Sequence, residues 1–152
     1  MRIAMGADHA GFALKEAIKG NLEAAGHEVT DVGTHSDEST DYPPYAAEAA
    51  SLVAGGGADR GVIVCGSGNG VAIVANKIHG IRAVNAHDVA EAEMARRHND
   101  INVLTLSGQR LSIEEAAPIV EEFLKEGFEG GRHERRVDEI AAVERAAAPD
   151  RT

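Results

Sequence analysis

The stretch RGVIVCGSGNGVAIVANK, residues 60–77, decides the fold of this chain. Its apolar run 61–64 predicts a buried parallel strand that ends at Cys65, the single cysteine of the sequence. Glycine and polar residues then alternate over 66–70, and the apolar run 71–75 predicts a helix. A glycine turn between a strand and a helix predicts a row of free backbone N–H groups at the positive helix end, where an anion is favoured. The same position favours the thiolate form of a cysteine.

Length and composition indicate one globular domain. The chain has 152 residues, of which 43% are hydrophobic and 26% charged, enough for one full core. Only 3% are aromatic, so the core must consist mostly of Ala, Val, Ile and Leu. The net charge of −10 argues against nucleic-acid or membrane partners, which need a broad basic face. The single cysteine, the lack of an apolar run near about 20 residues and the lack of a signal-peptide pattern predict a cytoplasmic protein.

Strand-like and helix-like segments alternate along the chain with short connections. The predicted strands are 2–6, 27–32, 61–64, 81–85 and 102–106. The predicted helices are 12–25, 42–53, 71–78, 89–97, 113–125 and 133–146. This order predicts an α/β protein: a Rossmann-like three-layer sandwich with a five-stranded parallel sheet, helices on both faces and an added C-terminal helix. We expect residues 1–146 to form a single domain and 147–152 a flexible tail.

The final predicted helix has no following strand to cross over to. It nevertheless carries an apolar face that needs cover, formed by Val137, Ile140, Ala141 and Val143. This face could pack on a second subunit or on the chain's own domain, and the sequence leaves both possibilities open.

Polar side chains follow two of the predicted strands at the point where each strand ends. Asp8 and His9 follow the first strand, and the glycine turn 66–70 follows the third. Ligands of parallel α/β sheets bind beyond the carboxyl ends of the strands. We therefore expect Asp8, His9 and the glycine turn to share one rim of the sheet.

The glycine turn matches no common phosphate-binding motif in full. Gly66 and Gly68 fit a dinucleotide fingerprint, but Val71 stands at the third glycine position and the turn follows the third strand, not the first. Val71 also stands where a cysteine phosphatase loop needs an arginine, and no Gly-Lys-Ser/Thr follows. On spacing alone, a structural turn and an anion-binding turn are both open.

Each of the other polar groups also has a purely structural interpretation. Cys65 fits a small buried apolar side chain, and the pair Asp8–His9 fits a helix cap. The run 132–136 fits a solvated face, although Arg132 and Arg136 are i,i+4 neighbours whose guanidinium groups can grip one phosphate. No spacing of His, Cys and carboxylate residues predicts a metal site.

Several short motifs together resemble the ribose-5-phosphate isomerase B family, which also contains the galactose-6-phosphate isomerase subunits. In family order and spacing these motifs are GADHAG (6–11), TDYP (40–43), CGSGNG (65–70), ANK (75–77), GIRA (80–83), RHND (97–100) and GGRHERR (130–136). The resemblance implies a small sugar phosphate as substrate and no metal or cofactor. It also implies a homodimer or dimer of dimers with a shared site, to which the partner chain contributes the segment at His98 and Asn99.

The resemblance further implies an aldose–ketose isomerase that interconverts ribose 5-phosphate and ribulose 5-phosphate through an enediolate. Cys65 would be the base, Ser67 would pass a proton between the two oxygens, and His98 with Asp8 would open the sugar ring. The residues that would bind substrate and phosphate are His9, Gly66, Gly68, Asn69, Gly70, Asn99, Arg110, Arg132 and Arg136. Some family members carry a glutamate at the position of Val71, so in this chain the thiol would carry the proton transfer alone.

Two alternatives are open at this point. An isomerase of the same family could act on a tetrose or hexose phosphate, because the length of the pocket is not visible in the sequence. A non-catalytic module that binds a phosphorylated ligand would explain the glycine turn and the arginines, but it gives Cys65 and His98 no task.

Overall fold

The computed structural model describes residues 1–149, which form five strands and six helices. The strands are β1 (Arg2–Ala7), β2 (Glu28–Asp31), β3 (Arg60–Cys65), β4 (Ala83–Asn85) and β5 (Val103–Ser107). The helices are α1 (Phe12–Ala24), α2 (Pro43–Ala54), α3 (Asn69–Asn76), α4 (Val89–Asn99), α5 (Ile113–Lys125) and α6 (Arg132–Ala147). All strand pairs are parallel, in the order β2-β1-β3-β5-β4. The predicted α/β sandwich is confirmed.

Helices cover both faces of the sheet because side chains of a strand alternate between its faces. Val62 and Val64 of β3 belong to an apolar cluster with α1, α4 and α5. Ile63 and Cys65 belong to a second cluster with α2 and α3. Small side chains let the helices approach closely, and the backbone of α2 at Tyr45 lies directly against β1.

Four predicted boundaries differ from the structure by two residues: the start of β4, both ends of α3 and the end of α4. The prediction started β4 at residue 81, whereas the strand spans only Ala83–Asn85, since it is an edge strand paired with β5 alone. The helix predicted from residue 71 starts at Asn69, because Gly68 adopts a left-handed conformation (φ 81°) and serves as its N-cap. This earlier start brings the helix terminus into the glycine turn.

The C-terminal helix α6 packs on α4 of the same chain, but only part of its apolar face is covered. Ile140 is 46% exposed and Val143 is 69% exposed. Residues 150–152, in the predicted flexible tail, lie outside the described residues. Within residues 1–149, no helix combines the length and the apolar character that a membrane crossing requires.

The strand order places a crevice between β1 and β3. From β1 the chain continues to β2 on one side, and the later strands lie on the other side. Ligands of open parallel sheets bind at such a point of reversal, beyond the carboxyl ends of the two strands. Ala7 pairs with Val64, so the residues that follow β1 lie level with the end of β3.

Candidate active site

The carbonyl groups of the glycine turn between β3 and α3 accept hydrogen bonds from side chains of β5 and β4. The hydroxyl of Thr105 donates to the carbonyl oxygen of Gly68 at 2.8 Å, and that of Ser107 donates to the carbonyl oxygen of Gly66 at 2.6 Å. The side-chain amide of Asn85 donates to the carbonyl of Ser67 at 3.1 Å. With these acceptors occupied, the turn offers a ligand mainly N–H groups, which are the polar groups that a helix N-terminus leaves free.

Gly68 fixes the shape of this turn. A side chain at this position would combine a positive φ with a collision against Asn85 and the backbone of Leu106. The N–H group of Gly68 donates to Sγ of Cys65 at 3.2 Å. The turn and the thiol are therefore held as one unit.

Cys65 lies beneath the turn, on the α2 and α3 side of the sheet. It is 4% exposed, and it packs in the same apolar cluster as Val71, which is fully buried. The contact with the Gly68 amide places the sulfur toward the turn. Since position 71 is apolar, no carboxylate from that position competes with the thiol for a proton.

The loop after β1 meets the end of β3 at the same rim, as predicted. The N–H group of Asp8 donates to the carbonyl of Val64 at 3.3 Å, and Gly11 packs so closely on that carbonyl that a Cβ atom would collide with it. One carboxylate oxygen of Asp8 accepts from the N–H group of Gly11 at 3.0 Å. Asp8 is 7% exposed, so its carboxylate is held at the start of α1 and away from bulk water.

His9 is exposed at this rim and is oriented by the loop before α2. Its Nδ1 atom lies 3.1 Å from both the amide nitrogen and the carbonyl oxygen of Thr40. When Nδ1 of a neutral ring accepts from the Thr40 amide, the ring proton is on Nε2, which can then donate to a ligand. Arg110, exposed in the loop after β5, is held by a bond of 3.2 Å from its N–H group to Ser107.

A second group of predicted site residues gathers elsewhere in the chain, where the end of α4 meets the start of α6. The ring of His98 stacks on that of His133 with centroids 4.1 Å apart, and its Nε2 atom lies 3.7 Å from Glu129. Arg132 and Arg136 are exposed on the first turns of α6. Among the described residues, no hydrogen bond or ion pair joins His98 to the glycine turn. The predicted site residues therefore form two groups within the chain, which we call the first and the second half-site.

The first half-site, at the rim of β1 and β3, contains the larger share of the predicted residues: Asp8, His9, Cys65, Gly66, Ser67, Gly68, Asn69, Gly70 and Arg110. The second half-site, at the α4–α6 junction, contains His98, Asn99, Arg132 and Arg136. His98 and Asn99 also line a cavity of about 370 Å³ beside the edge strand β4, together with Asn85. Since Asn85 bonds to the glycine turn, this cavity extends the second half-site toward the first.

Three side chains of these half-sites were not predicted from the sequence. Tyr42 places its ring against Gly70, and Thr40 orients His9. Both lie in the motif TDYP, which marked the segment without giving either residue a task. His133 is 5% exposed, and burial, followed by the neighbouring His98, lowers its pKa below the usual value of a histidine.

Known proteins resemble this chain over nearly its whole length. The sequence profile described as Ribose/Galactose Isomerase matches residues 3–140. Ribose-5-phosphate isomerase B of Escherichia coli strain K12 is 48% identical, covering 94% of this chain and 96% of that protein. Ribose-5-phosphate isomerase B of Clostridium thermocellum is 42% identical with a TM-score of 0.96, over 97% of this chain and 100% of that one. Ribose-5-phosphate isomerase B of Mycoplasma genitalium, solved with bound ribulose-5-phosphate, is 38% identical with a TM-score of 0.90. The match covers 95% of this chain and 96% of that one.

Proposed function

The chain belongs to the ribose/galactose isomerase family, and on that premise we propose that it interconverts ribose 5-phosphate and ribulose 5-phosphate. The observation that carries the proposal is the thiol of Cys65 held beneath a turn of N–H groups at the start of α3. A base beside an anion-binding turn is what an enediolate intermediate requires. The cytoplasmic location stays a prediction from the sequence.

The proton transfers follow from the placement of these groups. The thiolate of Cys65 takes the proton from C2 of the open-chain aldose, which leaves an enediolate whose negative oxygen faces the N–H groups of the turn. The hydroxyl of Ser67, exposed on the turn, carries a proton from O2 to O1. The thiol then returns its proton to C1, which yields the ketose and restores the thiolate.

The remaining polar groups hold the two ends of the substrate. His9, Arg110, Arg132 and Arg136 offer donors for the phosphate, and arginines can bind a phosphate through two parallel hydrogen bonds. Asn69 and Asn99 offer amide groups to the sugar hydroxyls. The phosphate donors are divided between the two half-sites, so neither half-site alone holds all of them.

We propose that two copies of the chain complete each site, with His98 and Asn99 of one copy reaching the glycine turn of the other. Three observations support this arrangement. Within residues 1–149 no hydrogen bond or ion pair joins the two half-sites, the edge strand β4 pairs with a strand on one side only, and Ile140 and Val143 are left exposed on α6. In this arrangement Asp8 of one copy and His98 of the other act together in opening the sugar ring.

The function is tested by incubating the protein with tetrose, pentose and hexose phosphates and measuring formation of the isomeric sugar. We expect kcat/KM to be highest for ribose 5-phosphate. A higher value for a tetrose or hexose phosphate would reassign the substrate within the same chemistry. Tight binding of ribose 5-phosphate without any conversion would contradict the isomerase and favour a non-catalytic binding module.

Sharing of the site is tested by mixing two inactive variants, Cys65→Ala and His98→Ala. If the subunits exchange at random in a two-fold dimer, half of the dimers are mixed and each contains one intact site of two, so activity should return to about a quarter of the wild-type value. A mixture prepared without subunit exchange serves as the control and should stay inactive. Recovery would not occur if Cys65 and His98 acted within the same chain.

A further inference from the structure

The α4–α6 junction brings together two imidazoles and one carboxylate that the sequence does not place side by side. Oε2 of Glu129 lies 3.7 Å from Nε2 of His98, and its Oε1 lies 3.8 Å from Nε2 of His133. One ligand atom from each of the three residues lies within 4.8 Å of the other two. Tetrahedral zinc with bonds of about 2.0–2.2 Å separates its ligand atoms by about 3.4 Å, so small shifts would close the set around one ion.

Each of the three groups is able to act as a ligand. Nε2 of His133 accepts a long hydrogen bond of 3.5 Å from the guanidinium of Arg132, so this nitrogen carries its lone pair. His133 is held by burial and by the stack on His98. The rings are nearly parallel, with an angle of 6° between their planes, so metal binding requires rotation of the less buried partner, the half-buried His98.

We propose that His98, Glu129 and His133 form a binding site for a divalent transition metal, with zinc as the best fit, and that metal bound there inhibits the enzyme. Two imidazoles and one carboxylate suit zinc, and a fourth position is left for water. The sequence predicted no metal site because His98 is far from Glu129 and His133 along the chain.

Inhibition follows from the task of His98, and this step rests on the proposed function. A metal ion occupies the Nε2 lone pair of His98 and fixes the ring at the α4–α6 junction. The ring can then no longer move protons during sugar ring opening, so turnover of the closed sugar phosphate falls.

The surrounding charges make this a reversible site rather than a permanent one. Nε of Arg97 lies 3.9 Å from Glu129, and Arg132 contacts His133. These guanidinium groups compete for the ligand atoms and repel a dication. We therefore expect an affinity that a strong chelator overcomes within an assay.

Metal binding is measured without any sugar, by competition of Zn²⁺ against a chromophoric chelator and by the visible absorption of added Co²⁺. We expect one site per chain. His133→Ala and Glu129→Gln should each weaken binding by at least about tenfold. His87→Ala is the matched control, because His87 and Glu91 form a comparable exposed pair at 3.1 Å, and it should bind as the wild type does.

A Cys65→Ser variant separates this site from metal binding at the thiol, and it should keep the full affinity. Loss of binding in Cys65→Ser, or unchanged binding in both His133→Ala and Glu129→Gln, would overturn the site. Thermal melts of each variant without metal show whether it is folded, and Glu129→Gln retains a hydrogen-bonding side chain if His133→Ala does not fold. These readouts stand even if ribose 5-phosphate is not the substrate.

The inhibitory role is measured on turnover of ribose 5-phosphate, with each variant compared with its own metal-free rate. Zn²⁺ should inhibit the wild type and His87→Ala, and a chelator should restore the rate. Glu129→Gln should need at least about tenfold more Zn²⁺ for the same inhibition. Full activity of the wild type at saturating zinc would overturn the inhibitory role while leaving the binding site in place.

Discussion

Replacement of Cys65 by alanine is expected to lower kcat by about 10³- to 10⁴-fold, because a positioned base contributes up to about that much to a proton transfer. The fully buried apolar side chain of Val71 cannot take over the role. KM should change little, because His9 and the arginines that hold the phosphate are untouched. The measurement is ketose formation from ribose 5-phosphate, with substrate binding followed separately by calorimetry.

Cys65→Ser is the companion variant, since it keeps the shape of the side chain and an acceptor for the N–H group of Gly68 but offers a hydroxyl that does not ionise near neutral pH. We expect a loss of kcat similar to that of the alanine variant. Equal melting temperatures for the two variants and the wild type would show that the loss of kcat comes from the missing base and not from unfolding. If Cys65→Ala kept more than about a tenth of the wild-type kcat, another group would have to be the base.

The central part of the fold could be predicted from the sequence because its signals are local. The apolar run before Cys65 and the glycines after it marked both the buried strand and the turn that follows it. The edge strand β4 was misjudged because pairing with a single neighbour, not sequence pattern, decides how far it extends. The start of α3 was misjudged because the left-handed conformation of Gly68 is a property of the turn as a whole.

The family resemblance gave the residues of the candidate site and set His98 and Asn99 apart from the others, but the contacts of these residues came from the structure. Contacts between residues distant in the chain, such as the stack of His98 on His133, leave no periodic signal in a single sequence. The ion pair between the fully buried Lys15 and Asp31 is a similar case. Lysine is normally exposed on a helix, and nothing near it in the sequence indicates that its charged end is enclosed.

Replacement of Asp31 by alanine is expected to lower the free energy of unfolding by about 3 kcal/mol, because it removes the main partner of a buried charge. Lys15 is fully buried, and its ammonium group donates to both carboxylate oxygens of Asp31, at 2.7 and 2.6 Å, and to the carbonyl of Thr34 at 2.8 Å. Glu16 lies 3.0 Å from the same ammonium group and remains as a second partner. We therefore expect a stability loss near the lower end of the range for removal of one partner of a buried ion pair.

The measurement is denaturant unfolding at one fixed protein concentration, since dimer formation would make apparent stability depend on concentration. Asp59→Ala is the matched control. Asp59 and Arg2 form an ion pair at 3.0 Å with side chains 42% and 49% exposed, and pairs of this kind contribute little. Equal losses for Asp31→Ala and Asp59→Ala would contradict the idea that enclosure of Lys15 makes the first pair important.

Acid should remove the difference between the wild type and Asp31→Ala. Burial raises the pKa of Asp31, but the hydrogen bonds from Lys15 and from the N–H group of Gly33 outweigh it, so the pKa is lowered overall. A carboxyl group with a lowered folded-state pKa contributes its stability above its unfolded pKa of about 4 and loses it as the pH falls through the lower, folded value. The unfolding free energies of the wild type and Asp31→Ala should therefore differ most near neutral pH and approach each other in acid. A difference that stays constant into acid would show that the lost packing of Asp31, not its charge, causes the loss of stability.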